Sequence, residues 1–254
     1  MSRWVGGWAR CSSRRAVAWG ARILNLHDGD AERPLHEYRS VAELFDRGAR
    51  PEARPIDRSP NRVTSPCDGR FQGGALLDGT PLVVKGQRLS VGRFLVSPSW
   101  QRRVAHGSFF SVYLAPSDLH GVYAPMDGCL LERIHVPGTL YPVNRWGTRL
   151  IPDVFVRNER VMVLMASANL HVVVALVGAT NVGSIHLTAE PDLRTNLGGE
   201  TTIRRLPPIE VRAGAELGRF RLGSTVFVFT ERKLSFLKAP NDRVRYGEPV
   251  AELS

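Results

Sequence analysis

The sequence predicts a mainly β (α+β) protein: a β-sandwich or partly open barrel core behind a helical N-terminal segment that associates with membranes. Three observations carry the β expectation. Beyond Pro60, short apolar stretches follow one another at close spacing, with glycine-containing turns between them. Helical periodicity is scarce after residue 50. A pattern of small residue-Pro-x-Asp-Gly occurs twice, as Ser65-Pro-Cys-Asp-Gly69 and Ala124-Pro-Met-Asp-Gly128, each just ahead of an apolar stretch. Asp-Gly is a strong turn dipeptide, so both copies read as strand entries.

Taken in order, residues 1–24 are Arg-rich and carry Trp4, Trp8 and Trp19. Tryptophan favours the level of lipid headgroups and arginine is drawn to anionic lipid, which predicts an in-plane membrane anchor. A frayed basic terminus and a transit peptide are the alternatives. Between Leu35 and Arg47, Tyr38, Val41, Leu44 and Phe45 recur at helical spacing; Ser40 and Glu43 form a capping box, and Gly48 is the stop. Arg50–Asp57 is proline-punctuated and extended, which divides the chain into an N-terminal segment and linker (1–57) and a β-rich domain (58–254). Strands are predicted at 63–64, 71, 75–77, 82–84, 94–95, 109–114, 128–135, 154–155, 160–165, 171–177, 184–187, 209–211, 226–230, 235–237 and 249–253. Val161–Ala179 is apolar, but Ser167, Asn169 and His171 break it. It reads as two buried strands joined by a turn rather than as a membrane span.

Composition narrows the partners. With 43% hydrophobic and 23% charged residues, the chain has the balance of a folded globular protein. A formal charge of +10 favours an anionic partner. No basic-aromatic alternation or zinc-finger spacing points to nucleic acid, so an anionic lipid surface is the better fit. Cys11, Cys67 and Cys129 are odd in number and lack CxxC spacing, which argues against a disulfide framework or structural metal. No His/Cys/carboxylate set has metal-ligand spacing.

The stretch with the sharpest chemical possibility is Leu222-Gly-Ser-Thr225, between a polar turn and the apolar Val226–Phe229. Its plain reading is a tight turn entering a strand. Its reactive reading is self-cleavage, in which the Ser224 hydroxyl attacks the Gly223 carbonyl, the amide becomes an ester, and elimination leaves a pyruvoyl group. Four other stretches favour the second: Ser65-Pro-Cys-Asp-Gly69, Tyr113-Leu-Ala-Pro-Ser-Asp-Leu-His120, Arg157-Asn-Glu-Arg-Val161 and Val177-Gly-Ala-Thr-Asn-Val-Gly-Ser-Ile185. Together, and in this order over roughly residues 50 to 250, they resemble the phosphatidylserine decarboxylase family, whose members are membrane-associated and pyruvoyl-dependent.

The resemblance implies a proenzyme cut between Gly223 and Ser224. Its two products would stay together as a heterodimer, because Val226–Phe229 reads as a core strand. The pyruvoyl group on residue 224 would form a Schiff base with the serine amine of phosphatidylserine and release CO2, giving phosphatidylethanolamine, at the cytoplasmic face of the cell membrane. Ser224 would be the nucleophile, Asp68 the orienting carboxylate and His120 the proton carrier. Thr180 and Asn181 are candidates for bonding the substrate or the pyruvoyl. Arg157 and Arg160, with Glu159 between them, read as a structural ion pair rather than a phosphate site. One departure stands out: the family pattern ends aromatic-His-x-x-His, whereas this chain has Leu119 at the aromatic position and Tyr123 at the second histidine. Tyr123 is then a hydrogen-bond relay. Either His120 does both jobs, or His106 or His135 approaches, or cleavage is slow or absent. The alternative reading is an uncleaved relative that binds anionic lipid without chemistry. The doubled Asp-Gly cadence is also similar to lipoyl-type hybrid barrels, but no lysine occupies the turn that would carry their cofactor.

Overall fold

A computed structural model describes residues 14–23, 26, 28–77, 82–168, 170–180, 184–220 and 225–254. Ser224, Gly223, Leu222 and Asn181 lie outside the described residues, as does the N-terminal part of the predicted anchor.

The chain is mainly β, built from several sheets, with no closed barrel among the described residues. Its strands are β1 Arg62–Thr64, β2 Gly69–Leu76, β3 Leu82–Val84, β4 Gln87–Leu89, β5 Ser108–Tyr113, β6 Gly121–Tyr123, β7 Gly128–Val136 and β8 Arg160–Ala166. They continue with β9 His171–Val177, β10 Ile185–Leu187, β11 Thr202–Val211, β12 Glu216–Phe220, β13 Thr225–Thr230, β14 Leu234–Phe236, β15 Arg243–Val244 and β16 Pro249–Leu253. The main sheet has the order β11-β7-β8-β9-β13-β5-β2-β15. Every residue of β13 is buried because neighbours flank it on both edges and layers cover both faces. On one face Phe227 and Phe229 pack with Phe94, Phe109 and Phe155. On the other face, Phe71 and Phe110 meet Phe236 of the small sheet β1-β16-β14. A third sheet, β10-β12-β6, lies beyond the end of the main one.

The described helices are α1 Arg14–Ile23, α2 Val41–Phe45, α3 Val91–Leu95, α4 Pro98–Val104, α5 Arg145–Leu150 and α6 Val154–Arg157. Two expected strands are corrected here: 94–95 lies in α3 and 154–155 in α6. A cap accounts for the first, since Ser90 accepts a backbone N–H at the start of α3; Ser97 and Asn144 do the same for α4 and α5, whereas α6 has no side-chain cap. Pro98 occupies the first turn of α4. Each of α3 to α6 is a turn or two, too short to show a period in sequence. The helix expected between 35 and 47 is a 3₁₀ turn, Leu35–Glu37, followed by α2, which starts at Ser40 as expected but ends at Phe45 before reaching Gly48.

Helix α1 packs inward through Val17, which meets Tyr38 and Leu44, while Gly20 lies against Val41. Arg15, Trp19 and Arg22 are exposed. The expected strand-turn-strand over 161–179 is present as β8 and β9, with Ser167 N–H donating to the Leu170 carbonyl across the turn.

The doubled motif is a doubled structure. Tyr123 N–H donates to the Pro66 carbonyl and Thr64 N–H to the Pro125 carbonyl, so the two copies bond each other reciprocally. Gly247 N–H donates to Ser65, and Gly214 N–H to Ala124 in the matching place. Tyr246 N–H donates to Asp68 and Ala213 N–H to Asp127. Ile56 sits against both Gly214 and Gly247, where a Cβ would collide with it.

Candidate active site at the sheet crossovers

Three chain segments leave the same end of the main sheet for the β6-β12-β10 sheet. Residues 114–120 join β5 to β6, 178–184 join β9 to β10, and 221–224 join β12 to β13. Their ends are in register: Thr225 lies opposite both Tyr113 and Val177, and across the gap Arg219 faces Gly121 while Phe220 faces Ile185. Three of the sequence motifs therefore fall on these three connections, whose described ends strand pairing holds in register.

His120 closes the first crossover. Its carbonyl accepts the N–H of Phe220, the last described residue before that segment. Its ring is buried and packs 5.0 Å from the Phe45 ring, so residues of the N-terminal segment roof the site. Among the described residues neither ring nitrogen makes a well-formed hydrogen bond, and the Asp118 backbone is the group that favours the protonated ring. Burial, then the nearby Arg47 charge, pushes its pKa down to about 3, so the imidazole is neutral at ordinary pH.

Asp68 sits at the entry to β2. Arg54 Nε and Nη2 reach its two oxygens at 3.1 and 2.5 Å, and Tyr246 N–H donates at 3.0 Å. A fork-shaped guanidinium on a carboxylate fixes both position and charge. Nearby, Asp118 accepts from Ala115 N–H at 2.8 Å and pairs with Arg243, and burial raises its pKa. Arg47 donates to the Leu44 and Ser117 carbonyls. Arg47, Arg54, Asp68, Ser117 and Asp118 share the wall of a cavity of about 110 Å³. Arg54 and Tyr246 escape sequence reasoning, because Arg54 sits in what reads as a linker and Tyr246 arrives from nearly 180 residues away.

Tyr123 stacks on Tyr246 with centroids 3.7 Å apart, and its hydroxyl lies over Gly121. Burial pushes its phenol far above the usual range, so it holds its proton. Thr180 Oγ1 donates to the Leu140 carbonyl at 2.7 Å, which commits its proton. His106 is exposed beside Gly107, at the Ser108–Thr230 end of β5, five residues or roughly 17 Å along the strand from Tyr113. His135 is held by Glu159 at 2.8 Å on β7, three strands from β13. His106 thus lies at the opposite end of β5 from the crossovers, and His135 is committed to Glu159.

The expected Arg–Glu pair within 157–160 is corrected. Arg160 is buried and donates to the carbonyls of Arg93, Phe94, Val156 and Asn158, and burial lowers its pKa to about 10. Glu159 turns to His135 and to Asn196 N–H, and Arg157 to the Tyr141 hydroxyl. Arg157 ends α6 while Arg160 begins β8, so the helix-to-strand transition sends the three side chains to different places. Asn158 is buried and bonds the carbonyls of Tyr141 and Gly178, tying the second crossover to residues 140–141.

The sequence pattern of the family described as phosphatidylserine decarboxylase matches residues 41–252. The chain belongs to this family. A phosphatidylserine decarboxylase proenzyme of Bordetella pertussis is 36% identical over 99% of this chain and 89% of its own length. One of Azotobacter vinelandii is 36% identical over 100% of the chain and 89% of its own. One of Variovorax paradoxus is 34% identical over 98% and 92%. The family span includes α2 and the 50–57 stretch, which contribute Phe45, Arg47 and Arg54 to the site. Among the described residues no helix is long and apolar enough to cross a membrane.

Proposed function

We propose that this chain is a phosphatidylserine decarboxylase proenzyme that cuts itself between Gly223 and Ser224 and works with the resulting pyruvoyl group. The observation that carries the reading is His120: a buried imidazole, without a well-formed hydrogen bond among the described residues, beside the ends of the segment to be cut. Buried polar atoms are almost always bonded, so such a ring points to a partner in that segment or in the substrate.

Self-cleavage needs the Ser224 hydroxyl proton removed while its oxygen adds to the Gly223 carbonyl carbon and the C–N bond breaks. A neutral imidazole offers the nitrogen lone pair that accepts such a proton; the burial that keeps this lone pair free also makes the ring a weaker base. Loss of the residue 224 α-proton then expels the Gly223 carboxylate, and water replaces the nitrogen, which leaves as ammonia. Asp68, clamped by Arg54, supplies fixed negative charge in the same corner and orients the machinery. A pyruvoyl group fits this setting, and when present it supplies an electron sink for a departing carboxylate. His120 then holds or delivers the proton that replaces CO2. Tyr123 packs against Tyr246 and takes no proton. His120 does both jobs.

The two products would remain one body, since β13 is the centre of the main sheet while β14 and β16 lie in the sheet beneath it. Association with the cytoplasmic side of an anionic membrane is supported by the charge of +10 and by Arg15, Trp19 and Arg22 on the outward side of α1. Intact-mass measurement tests the reading. It expects a chain ending at Gly223 and a residue 224–254 fragment blocked at its N-terminus, both absent from Ser224→Ala. A single full-length species, with no CO2 released from phosphatidylserine, would leave an uncleaved lipid-binding relative instead.

A further inference from the structure

A second cavity, of about 920 Å³, lies one strand from β13 and plays no part in the chemistry above. It falls in the volume range of small-molecule sites. Four cations line it: Arg70, Lys85, Arg88 and Arg149. Among the described residues none of the four pairs with a carboxylate, and the one acid in the wall, Asp153, is held by Arg93 at 2.7 Å. Among the described residues the Arg70 side chain donates only to the Asn241 carbonyl.

Lys85 is the most constrained of the set. It occupies the β3–β4 turn with φ of 49°, and Gly86 follows at 80°, the pair of left-handed residues a two-residue hairpin requires. Asn, Asp or Gly serve such a position at least cost, so a lysine there asks for another reason. Its ammonium lies 4.0 Å from the centre of the Tyr113 ring and donates to the Val143 carbonyl at 2.9 Å. Burial lowers its pKa to about 8, the mark of a cation short of compensating charge. Gln87 locks the hairpin by bonding the Thr148 and Ile151 carbonyls and accepting Val154 N–H.

The placement ties this charge to the reaction. Tyr113, under the ammonium, is paired with Thr225, the second residue after the proposed cut, and with Arg70 on its other edge. Helix α5, whose Thr148 and Arg149 line the cavity, also presents Trp146 and Leu150, 71% and 76% exposed and four residues apart. Two large apolar side chains on one helical face beside a cationic cavity suit a ligand with an anionic head and acyl chains.

We propose that this cavity binds the phosphodiester of the lipid headgroup, with Lys85 as its principal contact. The assignment rests on the proposed decarboxylase reading, but its test separates the two. Uncut full-length Ser224→Ala protein is titrated calorimetrically with dihexanoylphosphatidylserine, dihexanoylphosphatidylethanolamine, dihexanoylglycerol and inorganic phosphate. Both phospholipids should bind, the diacylglycerol at least tenfold more weakly. Adding Lys85→Met should weaken phospholipid binding tenfold or more, with Lys85→Arg restoring most of it. In cleavage-competent protein, Lys85→Met should raise KM about tenfold, with kcat and the extent of cleavage within about twofold. Arg88→Met, on an exposed side chain, should shift KM in the same direction if Lys85→Met folds poorly. Equal affinity for the diacylglycerol, or binding unchanged in both substitutions, would overturn the site. Binding of inorganic phosphate as tight as that of the phospholipids would overturn its assignment to lipid. Binding as expected without CO2 release would keep this site and sink the decarboxylase reading.

Discussion

Ser65-Pro-Cys-Asp-Gly69 and Ala124-Pro-Met-Asp-Gly128 begin as the same local structure and end as different ones. In both, the aspartate accepts a backbone N–H from a distant turn, and the glycine starts a strand where a Cβ would strike a neighbouring carbonyl, that of Tyr113 or of Ala166. The divergence lies in what covers them. The Asp68 side chain is 7% exposed beneath Arg54, whereas Asp127 is 64% exposed with Arg58 only at 4.0 Å. The comparison teaches that a turn motif supplies a carboxylate, and that a separate part of the chain decides whether water or a guanidinium surrounds it.

The strongest way to break that contrast is to uncover Asp68. Arg54→Met, made in the uncut Ser224→Ala protein, leaves a buried carboxylate without its partner and should cost about 3–5 kcal/mol in urea denaturation. Asp68→Asn keeps the shape and removes the charge. It should slow formation of the cleaved chains by about 100-fold or more, read by intact mass over time.

A pH titration sharpens the contrast further, because the corner holding Asp68 also holds Asp118 and, through it, His120. The folded pKa of about 3 for His120 lies below the unfolded value of about 6.5. The unfolded chain therefore binds the proton first as pH falls. Stability is fully present above about pH 6.5 and declines by up to about 1.4 kcal/mol per pH unit toward pH 3. His120→Asn should flatten that part of the curve, while Asp127→Ala should leave its slope alone. On the exposed side, Asp127→Ala should cost about 1 kcal/mol at neutral pH, the worth of one hydrogen bond, with cleavage unaffected. The smallest effect is expected from Tyr123→Phe. A phenol that keeps its proton is no base, so cleavage should stay within about threefold of the parent, less than 1 kcal/mol in barrier.

Strand positions were widely legible because a residue pattern buried on one or both faces writes itself into apolar stretches and turns. The core strands at 109–114, 160–165, 171–177 and 226–230 could be read in this way. Helices α3 to α6 could not, because four to seven residues give no period, although Ser90, Ser97-Pro98 and Asn144 were available as signals. At the site, Asp68, His120, Ser224 and the neighbouring motifs stood out as residue types with chemistry. Arg54, Tyr246, Phe45 and Lys85 did not, since each works through a partner far away in sequence.

The order of residues by itself determined where the chain turns, which segments are apolar enough to be strands, and which bond carries a hydroxyl next to a glycine. Those properties are local, written within a few residues of where they act. Tertiary structure alone decided that the described ends of three crossovers lie in register, that one of two equivalent aspartates is clamped, and that a histidine is dry enough to stay neutral. Register between distant strands and exclusion of water are properties of the packed chain, and no short stretch contains them.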